Sequence, residues 1–166
     1  MTIRPITLED SDALLELRRA LDEETTFMML APGERTTTPA EQRSWLEQRL
    51  AKGRDALFAA EVNGVLAGYI SLDRGSWRRN AHSGYIVMGV RQAYAGQGLG
   101  RALFEALLAW AAGQPGLHRL ELTVMTHNEH AVALYHKMGF EIEGLRKHSL
   151  QVDGAWVDEY EMAKLI

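Results

Sequence analysis

Cysteine is absent from this sequence of 166 residues, and proline occurs only four times. Without cysteine the chain can form no disulfide, no thiolate nucleophile and no cysteine-ligated zinc site. No stretch approaches the about 18 uninterrupted apolar residues that a membrane-spanning helix needs. The N-terminus also shows no basic leader followed by an apolar run. We therefore expect a cytoplasmic protein without a membrane partner.

An excess of positive charge is also missing, since the formal net charge is −4. Proteins that bind nucleic acid usually present a basic face, so this balance argues against a nucleic-acid partner. The hydrophobic fraction of 46% and the charged fraction of 24% are typical of a globular protein with a core of useful size. Because no linker, repeat or low-complexity segment interrupts it, the chain is expected to form one domain, residues 1–166.

Two dipeptides indicate β-hairpins. Asn63-Gly64 lies between β-rich runs, and this pair is the strongest short hairpin signal in a sequence. We therefore predict that strands Leu57–Val62 and Val65–Leu72 are antiparallel neighbours. Asp153-Gly154 predicts a second hairpin in the last part of the chain.

Helix signals complete the predicted order of elements. Thr38, Pro39 and Glu41 have the pattern of a helix start with a capping box, and Gly53 suits the end of that helix. Apolar residues at helical spacing indicate three further helices. The predicted order is β-α-α-β-β-β-α-β-α-β-β. Hairpins mixed with strand-helix-strand units favour an α/β chain with a central, mostly antiparallel sheet flanked by helices.

Three glycines, Gly96, Gly98 and Gly100, stand immediately before a long apolar-striped helix. Free N–H groups at a helix start bind phosphate readily, and glycine lets an anion approach the backbone closely. The same glycines would also serve in an ordinary turn. The dinucleotide fingerprint G-x-G-x-x-G fails, because its sixth position would be Arg101 or Leu103. The nucleotide P-loop pattern fails on its spacing as well.

The segment A-G-Q-G-L-G at Ala95–Gly100 resembles the acetyl-CoA loop of the GNAT superfamily of N-acetyltransferases. It departs from the family pattern at Ala95, where the family has Arg or Gln. The segment Asn128–Phe140, N-E-H-A-V-A-L-Y-H-K-M-G-F, resembles the second cofactor segment of the family at every fixed position. The order and separation of the two segments also match, and together they identify the chain as a member of this superfamily.

The resemblance implies acetyl-CoA as cosubstrate and assigns residues to its parts. Main-chain groups of Met88 and Val90 would pair with the pantetheine amides, and Asn128 would hydrogen-bond the pantetheine arm. Tyr135 would stand near the thioester sulfur as the general acid; Asn128 and Tyr135 are seven residues apart and share a helix face. The pyrophosphate would lie on a loop made of Ala95, Gly96, Gln97, Gly98, Gly100 and Arg101.

The general base that takes the proton of the attacking amine is left open by the sequence. The candidates are Glu121 on the strand after the cofactor helix, His82 before the fourth strand and Asp73 at the end of the third, but no spacing distinguishes one of them. Each is also compatible with an ordinary surface charge. A metal is not expected, because His127 and His130 are not part of an H-E-x-x-H pattern.

The acceptor region is expected, from the family, on the first two helices, the loop between them and the last hairpin. Acidic residues there would attract a cationic amine, and an apolar run would line a wall, although both also suit helix surface and core. The residues concerned are Asp22, Glu23, Glu24, Phe27, Met28 and Met29, with the loop around Trp77 and the turn near Trp156.

The expected activity is transfer of an acetyl group from acetyl-CoA to a primary amine of a small molecule, such as an amino acid or polyamine. Direct attack in a ternary complex is favoured, because the commonest covalent acyl carrier, cysteine, is absent. Two alternatives stay open: a protein N-terminal acetyltransferase of the ribosomal-protein type, and a non-catalytic acyl-CoA-binding module. The resemblance also suggests a homodimer.

Overall fold

One seven-stranded sheet forms the centre of the computed structural model, which describes residues 1–166. Its strands are β1 Thr2–Pro5, β2 Ala56–Val62, β3 Val65–Arg74, β4 Ser83–Val90, β5 Arg119–Met125, β6 Glu141–Val152 and β7 Ala155–Leu165. They lie in the order β1-β2-β3-β4-β5-β7-β6. Every neighbouring pair is antiparallel except β4 and β5. The predicted order of elements and the mostly antiparallel sheet are confirmed.

Both predicted hairpins are present, and their turns have the backbone conformation that the dipeptides favour. The φ angles are 51° at Asn63, 78° at Gly64, 49° at Asp153 and 80° at Gly154. Two consecutive positive φ angles match the right-handed twist of the flanking strands, which is why Asn-Gly and Asp-Gly suit such turns. Each turn therefore sets the register of its strand pair through local geometry.

Four helices flank the sheet: α1 Ser11–Glu24, α2 Pro39–Lys52, α3 Leu99–Ala112 and α4 Glu129–Lys137. The predicted capping box of α2 is confirmed. The Glu41 N–H donates to the Thr38 hydroxyl oxygen at 3.3 Å, and the Thr38 N–H donates to the Glu41 carboxylate at 2.8 Å. Gly53 ends the helix with φ 65°. None of the four helices has the length and apolar character that a membrane span requires.

Each face of the sheet carries its own hydrophobic core. On the α3–α4 face, the buried ring of Phe104 packs edge-on against Tyr135 at 5.4 Å and against Phe140 at 5.7 Å between ring centroids. On the α1–α2 face, Leu14 and Leu46 belong to a separate buried cluster. The two cores hold the helices against opposite faces, so any opening in the sheet connects the two layers.

Such an opening exists between β4 and β5. The two parallel strands pair only from Ser83 with Arg119 to Tyr85 with Glu121. Beyond that point β4 continues to Val90 along β3, and β5 continues along β7. The ends of β4 and β5 are therefore separated from each other, and this separation is called the gap below.

Candidate active site

A cavity of about 1070 Å³ occupies the gap. Its walls include residues 85–90 of β4 and 122–125 of β5. Residues 24–29, at the end of α1 and just after it, reach it from the α1–α2 face. The first turn of α3 and the inner side of α4 reach it from the other face. Residues from both faces of the sheet therefore line one continuous cavity.

The edge of β4 offers unpaired main-chain groups to this cavity. The Arg91 N–H donates to the Ala67 carbonyl oxygen at 2.9 Å, so residues alternating from Arg91 bond to β3. Met88 and Val90 occupy the intervening positions, opposite Ile70 and Gly68, and their main-chain groups point away from β3. Because β5 has separated from β4 here, these groups face the gap and are free to bond a strand-like ligand.

Gly89 lies between these two residues, and it allows α1 to pack closely against β4. A Cβ atom there would lie 2.6 Å from Cδ1 of Leu21 in α1. The absence of a side chain therefore lets α1 approach β4 directly. This contact brings the end of α1 to the rim of the cavity.

The glycine loop forms the other end of the cavity. Gly96 has φ 74° and Gly98, the residue before α3, has φ 83°. These left-handed conformations favour glycine, and a Cβ at either position would meet no atom within 4 Å. The first N–H to close a helical bond within α3 is that of Ala102, to the Gly98 carbonyl oxygen at 3.0 Å. The preceding N–H groups, beside the positive end of the helix dipole, suit an anion.

The remaining predicted loop residues differ in what they face. Ala95 and Arg101 line the cavity, whereas Gln97 turns back and donates from Nε2 to the Ala93 carbonyl oxygen at 3.3 Å. The side chain of Arg101 bonds Glu105 at 2.7 Å on the helix surface, so only its main chain is free toward the cavity. A Cβ at Gly100 would lie 3.2 Å from Leu134, so this glycine allows α3 to pack against α4.

Asn128 and Tyr135 project from α4 into the same cavity. The Asn128 Oδ1 atom accepts from the Ala131 N–H at 3.3 Å, which caps the helix and leaves the side-chain amide group as a free donor. Tyr135 is buried, and its hydroxyl group has no hydrogen-bond partner within the protein. Burial, together with the nearby Tyr85, raises the pKa of Tyr135 to about 12. The phenol therefore keeps its proton at neutral pH and can donate it.

A sequence profile of the acetyltransferase (GNAT) family matches residues 14–140, which include both the glycine loop and α4. The chain belongs to the GNAT family. This GNAT chain is 32% identical over 126 residues to an L-methionine sulfoximine/L-methionine sulfone acetyltransferase of Pseudomonas aeruginosa, covering 72% of this chain and 69% of the relative. It is 36% identical over 117 residues to the N-alpha-acetyltransferase RimI of Mycobacterium tuberculosis, covering 70% of each.

Solved GNAT structures share the fold over almost the whole chain. An acetyltransferase of the family from Streptococcus pneumoniae superposes with a TM-score of 0.96 at 31% identity, covering 99% of both chains. The putative acetyltransferase yncA of Salmonella typhimurium, solved with its cofactor acetyl-CoA, has a TM-score of 0.85 at 26% identity, covering 99% of this chain and 93% of that one. The GNAT chain is thus an acetyl-CoA-dependent acyltransferase.

The three sequence candidates for the base lie outside the GNAT cavity. Glu121 accepts from Arg119 Nε at 2.8 Å, and Asp73 forms an ion pair with Arg49. Both, together with His82, line a second and polar hollow at the closed end of the β4–β5 pair. Glu121 and Asp73 are each held by an arginine at this hollow, and none of the three candidates lines the cavity.

Two of the acids expected to attract an amine, Asp22 and Glu24 of α1, instead bind groups of the protein itself. Asp22 accepts two bonds from Arg35, at 2.5 Å and 3.0 Å, and is buried. Glu24 accepts from Arg91 at 2.6 Å and from the Gln92 N–H at 2.9 Å, which ties the end of α1 to the end of β4. These bonds hold the segment after α1 over the cavity.

The apolar residues that follow α1 do line the cavity. Phe27 lies 5.3 Å from His127 between ring centroids, so the contact joins the segment after α1 to the β5–α4 connection. Met28 and Met29 lie beside it. Trp77 lines the polar hollow, and Trp156 stacks on His148 at 5.9 Å in the last hairpin. Neither tryptophan lines the cavity.

Sequence reasoning missed one acidic residue of the cavity, Glu159 of β7. It is only 5% exposed, although it lies between Asp158 and Tyr160 in a strand with polar residues on both faces. A glutamate in such a strand resembles any surface glutamate. No signal in the local sequence could have distinguished it.

The raised pKa of Tyr135 predicts a pH dependence of stability. The unfolded chain releases this proton near pH 10, whereas the folded chain holds it to about pH 12. The free energy of unfolding therefore keeps its full contribution from Tyr135 below pH 10. It falls as the pH rises from 10 to the folded pKa of about 12, because in this range only the unfolded state has released the proton. We expect the free energy of unfolding, measured with urea, to fall more above pH 10 in the wild type than in Tyr135→Phe. The difference between the two decreases should reach about 2 kcal/mol at pH 11.5. Parallel pH dependences would contradict the buried position of the phenol.

Proposed function

We propose that the chain acetylates the primary amine of a small molecule, such as an amino acid or a polyamine, with acetyl-CoA and acceptor bound at the same time. One observation carries the proposal: a single cavity through the sheet joins the free main-chain groups of β4, the glycine loop and Tyr135. Direct transfer needs both substrates in one space, and a cavity lined from both faces of the sheet provides it. A homodimer and a cytoplasmic location complete the proposal, and both rest on sequence-based expectation.

The cofactor is proposed to lie along the gap, with its pyrophosphate on the glycine loop. The free N–H groups before Ala102 would bind the phosphate oxygens, with main-chain contributions from Gly98 and Arg101. The pantetheine arm would continue β4 like an added strand, pairing with Met88 and Val90. The free amide donor of Asn128 is placed to bond the same arm.

The chemical step would be aminolysis of the thioester. The amine nitrogen attacks the acetyl carbonyl carbon, the bond from carbon to sulfur breaks, and the thiolate takes a proton. Tyr135 suits this last role, because its hydroxyl is protonated at neutral pH and has no partner within the protein. The same residue argues against a non-catalytic acyl-CoA-binding module, which would have no need for an unpartnered donor at this place.

A protein N-terminal acetyltransferase is the second candidate. The relative from Mycobacterium tuberculosis, an N-alpha-acetyltransferase at 36% identity, favours it. The contact between Phe27 and His127 favours a small acceptor instead, because it joins the segment after α1 to the β5–α4 connection beside the cavity. We expect this bridge to hinder the entry of a peptide. The P. aeruginosa relative, an L-methionine sulfoximine/L-methionine sulfone acetyltransferase, is consistent with that choice.

A two-part experiment tests the proposal. Isothermal titration calorimetry would first measure acetyl-CoA binding to the purified protein. A thiol-release assay would then compare amino acids, polyamines, aminoglycosides and peptides as acceptors. We expect saturable binding and CoA release with at least one small amine. Release with N-terminal peptides alone would favour the second candidate. Binding without release in the whole panel would support the acyl-CoA-binding module, and absence of binding would overturn the proposal.

A further inference from the structure

Two acidic side chains line the cavity, and only one of them has hydrogen-bond partners for both of its carboxylate oxygens. Both carboxylate oxygens of Glu24 accept hydrogen bonds, from Arg91 and from the Gln92 N–H. Glu159 differs: the Ser149 hydroxyl donates to its Oε2 at 2.8 Å, and Arg146 donates to the same oxygen at 3.4 Å. Its Oε1 atom has no hydrogen-bond partner in the protein.

This Oε1 atom is open to the cavity, because Glu159 lines it and Oε1 is not one of the fully enclosed polar atoms without a partner. Glu159 is 5% exposed, and burial of a carboxylate is costly unless its charge is compensated. Its ion-pair partner, Arg146, is 48% exposed and approaches only one oxygen. The free oxygen belongs to a residue that lines the cavity, so a cationic ligand there would supply the missing partner.

Glu159 and Tyr135 reach the cavity from opposite faces of the sheet. In the β5–β7 ladder Glu159 pairs with Met125, so the two side chains share a face. The neighbouring β5 residues Leu122 and Val124 point the other way, into the core that contains Tyr135. A thioester lying in the gap would therefore have the phenol on one side and the carboxylate on the other. This separation suits aminolysis, because the amine attacks from above the plane of the carbonyl group whereas the leaving sulfur lies in that plane.

We infer that Glu159 is a catalytic residue that binds the ammonium group of the acceptor and takes its proton. The inference rests on the proposed function and extends it to the acceptor. An amine acceptor is protonated at neutral pH and cannot attack until a proton has left. A buried carboxylate with one free oxygen attracts the cation and accepts that proton.

The reaction removes two protons from the nitrogen and releases one of them to solvent. The ammonium gives one proton to Glu159, which passes it to solvent. The neutral amine then forms the carbon–nitrogen bond, and the second nitrogen proton goes to the same carboxylate. The carbon–sulfur bond breaks as Tyr135 protonates the sulfur. Transfer of the second proton through water to Tyr135 restores both side chains, and the products are the amide, the CoA thiol and one released proton.

Steady-state kinetics of Glu159→Gln tests the inference, with the amine of highest kcat/KM in the acceptor panel as the probe. We expect kcat to fall about a hundredfold, the range of general base catalysis, and the acceptor KM to rise about tenfold. The acetyl-CoA Kd and the midpoint of urea unfolding should stay near the wild-type values. Glu161→Gln is the matched control, because Glu161 lies on the same strand and face, also approaches Arg146, and does not line the cavity.

The possible outcomes separate this inference from the proposed function. A wild type that acetylates the amine, with Glu159→Gln within threefold of it, would overturn the role of Glu159 alone. Equal losses in Glu159→Gln and Glu161→Gln, or a lowered unfolding midpoint, would assign the effect to the strand and also overturn it. A wild type that releases no CoA with any amine would overturn the proposed function and, with it, this inference. A selective loss in Glu159→Gln supports it.

Discussion

Replacement of Tyr135 by phenylalanine is expected to lower kcat by about a hundred- to a thousandfold. The substitution removes only the hydroxyl group, which has no hydrogen-bond partner within the protein, so the packing against Phe104 should persist. The thiolate would then leave without a proton donor, and the loss would appear in the chemical step. The acetyl-CoA Kd should stay within about twofold, because the cofactor contacts proposed for β4, the glycine loop and Asn128 are intact.

The measurement is a pair of assays on the same preparation: single-turnover kinetics for the chemical step and calorimetry for cofactor binding. Tyr160→Phe is a suitable control, since Tyr160 packs against the same core from β7 and does not line the cavity. The control should keep nearly full activity. Unchanged turnover in Tyr135→Phe would remove this residue from the mechanism, and a loss confined to cofactor affinity would reassign it to binding.

Gly98→Ala is expected to weaken acetyl-CoA binding by at least about a hundredfold. Gly98 has φ 83°, and an alanine held there carries about 1–2 kcal/mol of backbone strain. The space around it is empty, so the added methyl group meets no protein atom within 4 Å and would instead meet the pyrophosphate. Each charge-assisted hydrogen bond from the loop that is lost removes about 1.5–3 kcal/mol.

Backbone strain and ligand contact can be separated with a second glycine. Gly53, at the end of α2, has φ 65° and equally empty surroundings, but it does not line the cavity. Gly53→Ala should lower the free energy of unfolding by a similar amount and leave the acetyl-CoA Kd unchanged. Calorimetry and urea unfolding of both variants give the comparison. An equal Kd in Gly98→Ala and the wild type would mean that the pyrophosphate lies elsewhere.

The elements of the fold were predictable where a few neighbouring residues decide them. Asn63-Gly64 and Asp153-Gly154 form turns because these residues tolerate positive φ, and the capping box between Thr38 and Glu41 is complete within four residues. Strand ends were less predictable, since β3 continues to Arg74, two residues beyond the predicted end. The strand is extended there by its pairing with β4, which the residues next to Leu72 do not indicate.

The candidate site residues were likewise predictable where they belong to a short motif, and not where their partners are distant in the chain. The glycine loop and α4 are short motifs at either end of a helix-strand unit, so their types and spacing were enough to indicate a cofactor. The sequence suggests Asp22 and Glu24 as acids that attract an amine, but in the structure they are paired with Arg35 and Arg91. Arg35 lies in the loop between α1 and α2, and Arg91 follows the end of β4. The sequence carries no sign of which acid each of them meets.

The sequence by itself determined the family, the turns, the helix starts and the segments expected to hold acetyl-CoA, because these depend on contacts within a few residues. Only the tertiary structure decided that β4 and β5 separate after Tyr85 and Glu121. It also decided that Glu159, and none of the predicted bases, lines the resulting cavity. The physical reason is that burial and charge pairing come from packing between strands and helices distant in the chain, as with Glu159 beside Met125.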